Sequence, residues 1–197
     1  CLAQGTMSVP IFIGTAPLTM RHMLARFPAE TLRPGDVIIT NDIWMGTGHL
    51  WDINVMRPAF RDGRIVGYAM SISHLPDIGG RGMSAVNVDM YEEGLQIPIT
   101  HIVRAGAVNE DLIEIIRKNV RVPDQVIGDL MANVAATEVG GRQLVDSLDE
   151  YRLDNLDELA DRLAIPRTSM QVAELLQVPV VRQRYTFLRQ LPQELEK

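Results

Sequence analysis

Two strand-like runs joined by a tight turn constrain this chain more than any other feature. Residues 53–60 and 65–73 are apolar runs rich in strand-forming residues, and they flank an Arg-Asp-Gly-Arg segment. An Asp-Gly pair between two such runs is typical of a type I′ turn, in which both central residues have positive φ. The sequence therefore predicts a β-hairpin with Asp62 and Gly63 at its tip.

The register of this hairpin determines which polar residues meet at its open end. Pairing the runs outward from the turn sets Trp51 opposite His74 and carries His49 and Asp52 to the same end. Two imidazoles and a carboxylate are a recognised set of ligands for a divalent metal. Strict alternation along the strands puts Asp52 and His74 on opposite faces, so this interpretation requires a β-bulge or an early strand end. The alternative is that each histidine caps a strand or bonds a loop carbonyl.

The segments outside the hairpin predict an α+β fold, with a mixed β-sheet followed by a helical C-terminal part. A β-branched run at 37–40 adds a strand. Apolar residues at helical spacing predict helices at 17–27, 109–119 and 123–148, and the glycine pair 140–141 is a place where the last helix can kink.

Differences in composition and residue pattern along the sequence divide the chain into three regions. Residues 1–108 form a mixed β/α region that carries the candidate metal ligands, and residues 109–163 form a helical region that ends in an amphipathic segment at 155–163. Residues 164–197 are interrupted by prolines and give no functional signal.

Composition and charge narrow the classes of partner. With 197 residues, of which 46% are hydrophobic, the chain can bury a sizeable core. Its net charge of −6 and lack of a dense Lys/Arg cluster argue against nucleic acid and anionic membranes. No apolar run approaches the roughly 18 residues of a membrane-spanning helix, and no export signal is recognisable. We expect a cytoplasmic protein that binds other proteins and small molecules.

The single cysteine, Cys1, rules out an internal disulfide. An N-terminal nucleophile is one hypothesis for it. We interpret Cys1 instead as the edge of a longer chain.

Three motifs in a fixed order resemble one known family. They are TNDIWMGTGHLWDI at 40–53, SHLPDIGG at 73–80 and YEEGLQIP at 91–98. Together they resemble the B subunits of ATP-dependent hydantoinases and oxoprolinases, a family that includes a large subunit of acetone and acetophenone carboxylases. The resemblance runs from about residue 2 to about residue 163, which is only a part of a usual family member.

The resemblance implies a metal site at His49, Asp52 and His74. The sequence does not distinguish between Mn, Zn and Fe as the bound ion. The same motifs contain further acidic residues, and these supply the candidates for acid and base chemistry.

We select Asp42, Asp77 and Glu92 as the candidate catalytic residues. Asp42 is also a candidate fourth metal ligand, and Asp77 is a candidate for the carboxylate that orients an imidazole. Glu92 and its neighbour Glu93 can serve as acid or base, with solvated loop charges as the alternative.

The resemblance also implies a division of labour between subunits. No P-loop and no GxGxxG fingerprint is present, so ATP would bind to a companion A-type subunit that activates the substrate. The B-type subunit would then complete the hydrolysis of a cyclic amide or imide. Ketone carboxylation and an inactive structural fragment remain alternatives.

The apolar residues of the hairpin point to assembly. Val55 and Met56 are neighbours on one strand and face opposite sides of the sheet, so both sides require cover. We therefore expect an oligomer or a complex with a larger partner, with residues 126–148 contributing to the contact.

Overall fold

A five-stranded antiparallel sheet organises the fold. In this computed structural model, which describes residues 12, 14–82 and 86–158, the sheet has the order β3-β2-β1-β4-β5. The strands are β1 (Val37–Thr40), β2 (Asp52–Arg61), β3 (Arg64–His74), β4 (Thr100–Arg104) and β5 (Ala107–Val108).

The predicted α+β class is confirmed, whereas the predicted mixed sheet is wrong. Every neighbouring pair of strands is antiparallel. The physical reason lies in the connections: β2–β3 and β4–β5 are tight hairpins, and the loop 41–51 between β1 and β2 is too short for the crossover that parallel neighbours require.

Within the described residues, three α-helices accompany the sheet: α1 (Ala16–Arg26), α2 (Glu110–Asn119) and α3 (Pro123–Glu150). The predicted helices at 17–27, 109–119 and 123–148 agree with these bounds to within two residues. The side chain of Asn109 caps α2 by accepting a hydrogen bond from the Leu112 N–H at 3.2 Å. No helix in the described ranges combines the length and the apolar character needed to cross a bilayer.

The described residues up to Arg152 form one compact unit, and the described residues from 153 to 158 belong to a second. The predicted segment 155–163 lies partly outside the described residues, and the region 164–197 lies wholly outside them. The three-part division of the chain therefore stays a prediction.

Both faces of the central strands are buried, as the sequence predicts. On one face Val55 packs in a cluster with Val126 and Leu130 of α3. On the other face Met56 packs in a second cluster with Met23 of α1. The apolar stripe of α3 is therefore part of the core of its own chain, and the expected oligomer stays a prediction.

The glycine pair of α3 faces the hairpin. A Cβ added at Gly140 would lie 3.5 Å from the Cβ of Ala69, and one added at Gly141 would lie 3.7 Å from the Cβ of Ala59. A single helix continues through the pair. The glycines thus allow close packing against small residues of the hairpin.

A β-bulge next to the hairpin turn interrupts the regular pairing. The Asp-Gly residues at the turn have φ values of 51° and 76°, which are the positive values that a type I′ turn requires. Phe60 pairs with Ile65 but Ala59 pairs with Gly67, so Val66 is the additional residue.

This bulge decides the face on which His74 lies. Beyond the bulge the pairing is shifted by one residue, and Asp52 rather than Trp51 pairs with His74. The predicted register is therefore wrong at the open end, because direct counting from the turn assumes no bulge. The bulge that the metal hypothesis required is present, but at Val66 near the turn. Directly paired residues project to the same face, so Asp52 and His74 lie side by side.

Candidate metal centre

The end of the loop before β2 is fixed from both sides at Leu50. The Leu50 N–H donates a hydrogen bond to Oε2 of Glu93 at 2.8 Å, and the Leu50 carbonyl accepts one from Nδ2 of Asn41 at 2.8 Å. Leu50 itself is fully buried. Because both backbone groups of Leu50 are occupied, the backbone position of its neighbour His49 is well defined.

Asn41 connects this loop to a distant segment of the chain. Its Nδ2 also donates to the Leu95 carbonyl at 2.9 Å, and its Oδ1 accepts from the Ile97 N–H at 2.6 Å. The side chain is fully buried, and three backbone groups depend on it for their hydrogen bonds. Asn41 is therefore a positioning residue for the loop that carries His49.

His49, Asp52 and His74 form a three-donor cluster. His49 Nε2 lies 3.2 Å from Asp52 Oδ2, and His74 Nδ1 lies 3.0 Å from Asp52 Oδ1. One donor atom from each residue lies within 4.8 Å of the other two. The predicted convergence of these three residues is thus observed, while their role as metal ligands stays a prediction.

The burial of the cluster is uneven. The Asp52 side chain is 4% exposed, whereas His49 is 33% exposed and His74 is 41% exposed. A buried carboxylate requires a positive or hydrogen-bonding partner, which the two imidazoles supply here. The two imidazoles are partly exposed, so the cluster is open to solvent on their side.

The geometry of the cluster suits a divalent ion. Metal–ligand distances of about 2.0–2.2 Å place neighbouring ligand atoms about 3 to 3.5 Å apart. The separations of 3.0 Å to Oδ1 and 3.2 Å to Oδ2 of Asp52 lie in that range, and one donor atom from each of the three residues lies within 4.8 Å of the other two. Two imidazoles and one carboxylate suit Zn, Mn or Fe(II). A site with three protein ligands and access from solvent matches catalytic rather than structural metal sites.

Trp51 orients the imidazole of His74. The two rings stack with centroids 5.6 Å apart and an angle of 15° between their planes. Trp51 is 7% exposed, so its indole is held by the core. Sequence reasoning did not identify Trp51 or Asn41 as parts of this site, and it named Glu93 only as a possible acid or base, although all three lie inside the family motifs.

The three candidate catalytic acids lie outside this cluster. Among the described residues, the only group of three or more possible metal ligands is His49, Asp52 and His74. Asp42 starts the loop and accepts a hydrogen bond from the Trp44 N–H at 2.9 Å. Its role, as catalyst or as fourth ligand, stays a prediction.

Glu92 holds a neighbouring loop together. It pairs with Arg81 at 3.2 Å and accepts from the Val88 N–H at 3.0 Å. The Val88 hydrogen bond and the Arg81 pair hold the pKa of Glu92 below its ordinary value. The adjacent Glu93 is the acid that reaches the His49 loop, and the catalytic role of Glu92 stays a prediction.

Asp77 binds Arg121 and the backbone of its own loop. Its carboxylate accepts from the Gly79 N–H at 2.9 Å, from the Arg121 guanidinium at 2.8 Å and from the Arg121 N–H. Asp52, rather than Asp77, is the carboxylate that contacts both imidazoles. Burial raises the pKa of Asp77, but the hydrogen bonds and the charge of Arg121 outweigh it, so the pKa is lowered overall.

Asp77→Asn is expected to destabilise the chain by about 1–3 kcal/mol at neutral pH, because hydrogen bonds between charged groups are lost from a buried site. A lowered pKa in the folded state gives stability that is present above the unfolded pKa of about 3.9 and lost as the pH falls through the folded pKa. The difference in unfolding free energy between the variant and the parent should therefore be constant at neutral pH and shrink below about pH 4. Urea denaturation across this pH range measures it.

Asp124→Asn is the matched control for Asp77→Asn. Asp124 also pairs with an arginine, Arg117, at 3.2 Å, but its side chain is 98% exposed. This change should cost less than about 1 kcal/mol. Equal losses of unfolding free energy in the two variants would contradict the role assigned to Asp77.

Comparison with known proteins identifies the family. The family model described as Hydantoinase B/oxoprolinase matches residues 1–192. The caprolactamase β subunit of Pseudomonas jessenii is 34% identical over 172 residues, which are 82% of this chain and 29% of that protein. The crystal structure of the ATP-dependent caprolactamase from Pseudomonas jessenii matches with a TM-score of 0.70 and 33% identity, over 79% of this chain and 27% of that one.

A nucleotide-free structure of acetone carboxylase shares the fold, with a TM-score of 0.65 and 18% identity over 76% of this chain and 20% of that chain. The chain spans 26% to 29% of the length of three curated relatives that it matches. The family model nevertheless covers nearly all of its residues. The chain therefore belongs to the hydantoinase B/oxoprolinase family.

Proposed function

We propose that this chain carries the metal centre of an ATP-dependent hydrolase that opens cyclic amides. The convergence of two accessible imidazoles on one buried carboxylate carries the proposal. The Pseudomonas jessenii relative, at 34% identity, is named as a caprolactamase and so as an enzyme of a cyclic amide. The acetone carboxylase, at 18% identity, supports the shared fold and gives no reason to prefer carboxylation.

His49, Asp52 and His74 are the residues that hold the divalent ion, which is Mn, Zn or Fe. When bound, such an ion supplies Lewis-acid polarisation of a carbonyl oxygen or activation of a water. Asp52 contributes the negative charge, and its burial keeps that charge between the imidazoles. Trp51 keeps the ring of His74 in place and shields one of its faces from water.

The three candidate acids support this centre from its surroundings. Asp42 lies at the start of the loop that ends in His49, and Asp77 anchors the segment after His74 through Arg121. Glu92 stabilises the neighbouring 86–92 loop. We propose that Asp77 and Glu92 act as positioning residues. Asp42 acts either as a further positioning residue or directly on the substrate.

A companion A-type subunit supplies the ATP chemistry in this proposal. The sequence contains no P-loop, and the Pseudomonas jessenii relative is named as a β subunit, which supports the presence of a second subunit. The chain therefore acts on a substrate that its partner has activated, within a cytoplasmic oligomer. Because ATP binding and the metal centre lie on different chains, neither chain completes the reaction alone.

Metal titration and a reconstitution assay test this proposal. The metal-free chain should bind one equivalent of Mn²⁺, Zn²⁺ or Fe²⁺, whereas an inactive structural fragment should bind none in stoichiometric amounts. With ATP and a cyclic amide, the chain alone should show no turnover, and ring opening should require the ATP-binding partner. Turnover by the chain alone would contradict the proposed division of labour.

A further inference from the structure

A cavity lies at the end of the sheet opposite to the metal centre. Its volume is about 930 Å³, and it lies between the C-terminal end of α1, the segment before β1 and the β4–β5 turn. Asp36 in its wall precedes β1, whereas the loop with His49 follows β1. With about 3.3 Å per strand residue, the two sites are roughly 15 Å or more apart.

Positive charge dominates the wall of this cavity. Arg26, Arg33 and Arg104 all line it, and Asp36 is the only acidic residue among the lining groups. In the part of the chain that the structure describes, none of the three guanidinium groups forms an ion pair. Arg26 lies over the Phe27 ring, with its guanidinium carbon 4.8 Å from the ring centroid. This concentration of positive charge occurs in a chain whose net charge is −6.

The carboxylate of Asp36 contacts backbone groups and His101 rather than the arginines, so three guanidinium groups face one carboxylate in this wall. It accepts hydrogen bonds from the backbone N–H groups of Arg33 at 2.8 Å and Ala105 at 2.7 Å. His101 Nε2 lies 3.7 Å from Oδ2 of Asp36, and the Asp36 side chain is 3% exposed. Asp36 therefore fixes the two loops that present Arg33 and Arg104.

His101 forms a fixed polar part of the wall. Its side chain is 14% exposed, and its ring packs edge-on against Phe27 with centroids 4.4 Å apart. Burial lowers the pKa of His101; Asp36 opposes this effect, and the charges of Arg104 and Arg26 add to it. Both guanidinium groups thus lie close enough to influence the same imidazole in the wall of the cavity.

We propose that this cavity binds a small organic anion with at least two negative charges on phosphate or carboxylate oxygens. Guanidinium groups form paired hydrogen bonds to such oxyanions, and three of them favour a multiply charged ligand. The volume of about 930 Å³ lies in the range of small-molecule sites and exceeds what one inorganic phosphate fills. This anion site is independent of the function proposed for the metal centre.

Calorimetric titration of the metal-free chain tests the anion site, with pyrophosphate and citrate as the probes. At least one probe should bind saturably at one site per chain, and acetate should bind far more weakly because it carries a single charge. A preference for pyrophosphate indicates a phosphate-bearing ligand, and a preference for citrate indicates a polycarboxylate. Failure of both probes to saturate below about 10 mM, near the weak end of specific binding, overturns the proposal.

Variants of the wall provide the second arm of the test. The double variant Arg33→Gln/Arg104→Gln should weaken binding of the probe by about tenfold or more. Arg104→Lys should weaken it less, because lysine keeps the positive charge but lacks the paired, planar N–H donors of a guanidinium group. All of these residues are exposed, so thermal unfolding should change little.

Two control variants separate this site from its alternatives. Arg64→Gln removes an exposed arginine at the hairpin turn, and Asp52→Asn alters the metal centre. Both should leave the affinity for the probe unchanged. An equal loss in Arg64→Gln would indicate nonspecific charge attraction. A change of affinity in either direction in Asp52→Asn would place the anion at the metal centre, since the lost carboxylate would change the charge that the anion meets there. Either result overturns the proposal.

Discussion

Asp52→Asn is expected to lower the affinity of the chain for a divalent metal by at least about 100-fold. Apparent binding free energies of about 10–16 kcal/mol for zinc sites with four ligands correspond to about 3 kcal/mol or more for each ligand. The loss at Asp52 should be the largest in the cluster, because asparagine removes the one negative charge that the three residues supply. Isothermal titration with Mn²⁺ and Zn²⁺ measures it.

His74→Ala should also reduce metal affinity, but by a smaller factor than Asp52→Asn, since it removes one of three donors and no negative charge. His22→Ala and Asp124→Asn are the matched controls, because both residues lie outside the three-donor cluster. The melting temperature of each variant without metal should stay close to that of the parent. Unchanged affinity in Asp52→Asn, or an equal loss in the two controls, would contradict the assignment of the metal ligands.

The elements that the sequence predicts well are those with local signals. The Asp-Gly turn has the positive φ values that its type requires, and the Asn109 cap and the acidic first turn mark the start of α2. These features depend on residues a few positions apart, so the chain reveals them without knowledge of its tertiary contacts.

The bulge at Val66 depends instead on which helix covers which face. Because of the bulge, the small residues Gly67 and Ala69 lie on the face of α3, close to its glycine pair. The larger Tyr68 and Met70 lie on the face of α1. Without the bulge the large residues would face the glycine pair of α3, where the close approach leaves them no room.

The contacts that fix the His49 loop could not be predicted for a different reason. Asn41 meets Leu95 and Ile97 across 54 and 56 residues of sequence, and Glu93 meets Leu50 across 43. No local pattern indicates such pairs. The family motifs contain these residues but do not reveal that Glu93, rather than its neighbour, reaches the metal loop.

Asn41→Ala is expected to destabilise the chain by at least about 3 kcal/mol, because it leaves three buried or half-buried backbone groups without a partner at about 1–3 kcal/mol each. These groups are the carbonyls of Leu50 and Leu95 and the N–H of Ile97. Domains of this size are stable by about 5–15 kcal/mol, so the loss would approach the total. Urea denaturation measures it.

Two further variants at exposed and buried amides make this test specific. Asn119→Ala removes an exposed amide that donates to the Ile115 carbonyl at 2.7 Å, and it should cost less than about 1 kcal/mol since water replaces the bond. Asn41→Asp keeps the acceptor for Ile97 but turns carboxylate oxygen toward two carbonyls, so it should be no milder than alanine. Equal stability of the Asn41 and Asn119 variants would show that the buried amide does not hold the loop.

Glu93→Ala separates the effect on the loop from the effect on global stability. This change frees only the Leu50 N–H, so the unfolding free energy should fall by about 1–3 kcal/mol and the chain should stay folded. Metal affinity should still drop by about 10- to 100-fold, as expected when a residue that orients a ligand is lost. Glu93→Gln keeps an acceptor for the Leu50 N–H and should restore most of the affinity. Unchanged metal binding in Glu93→Ala would mean that His49 holds its position without the anchored loop.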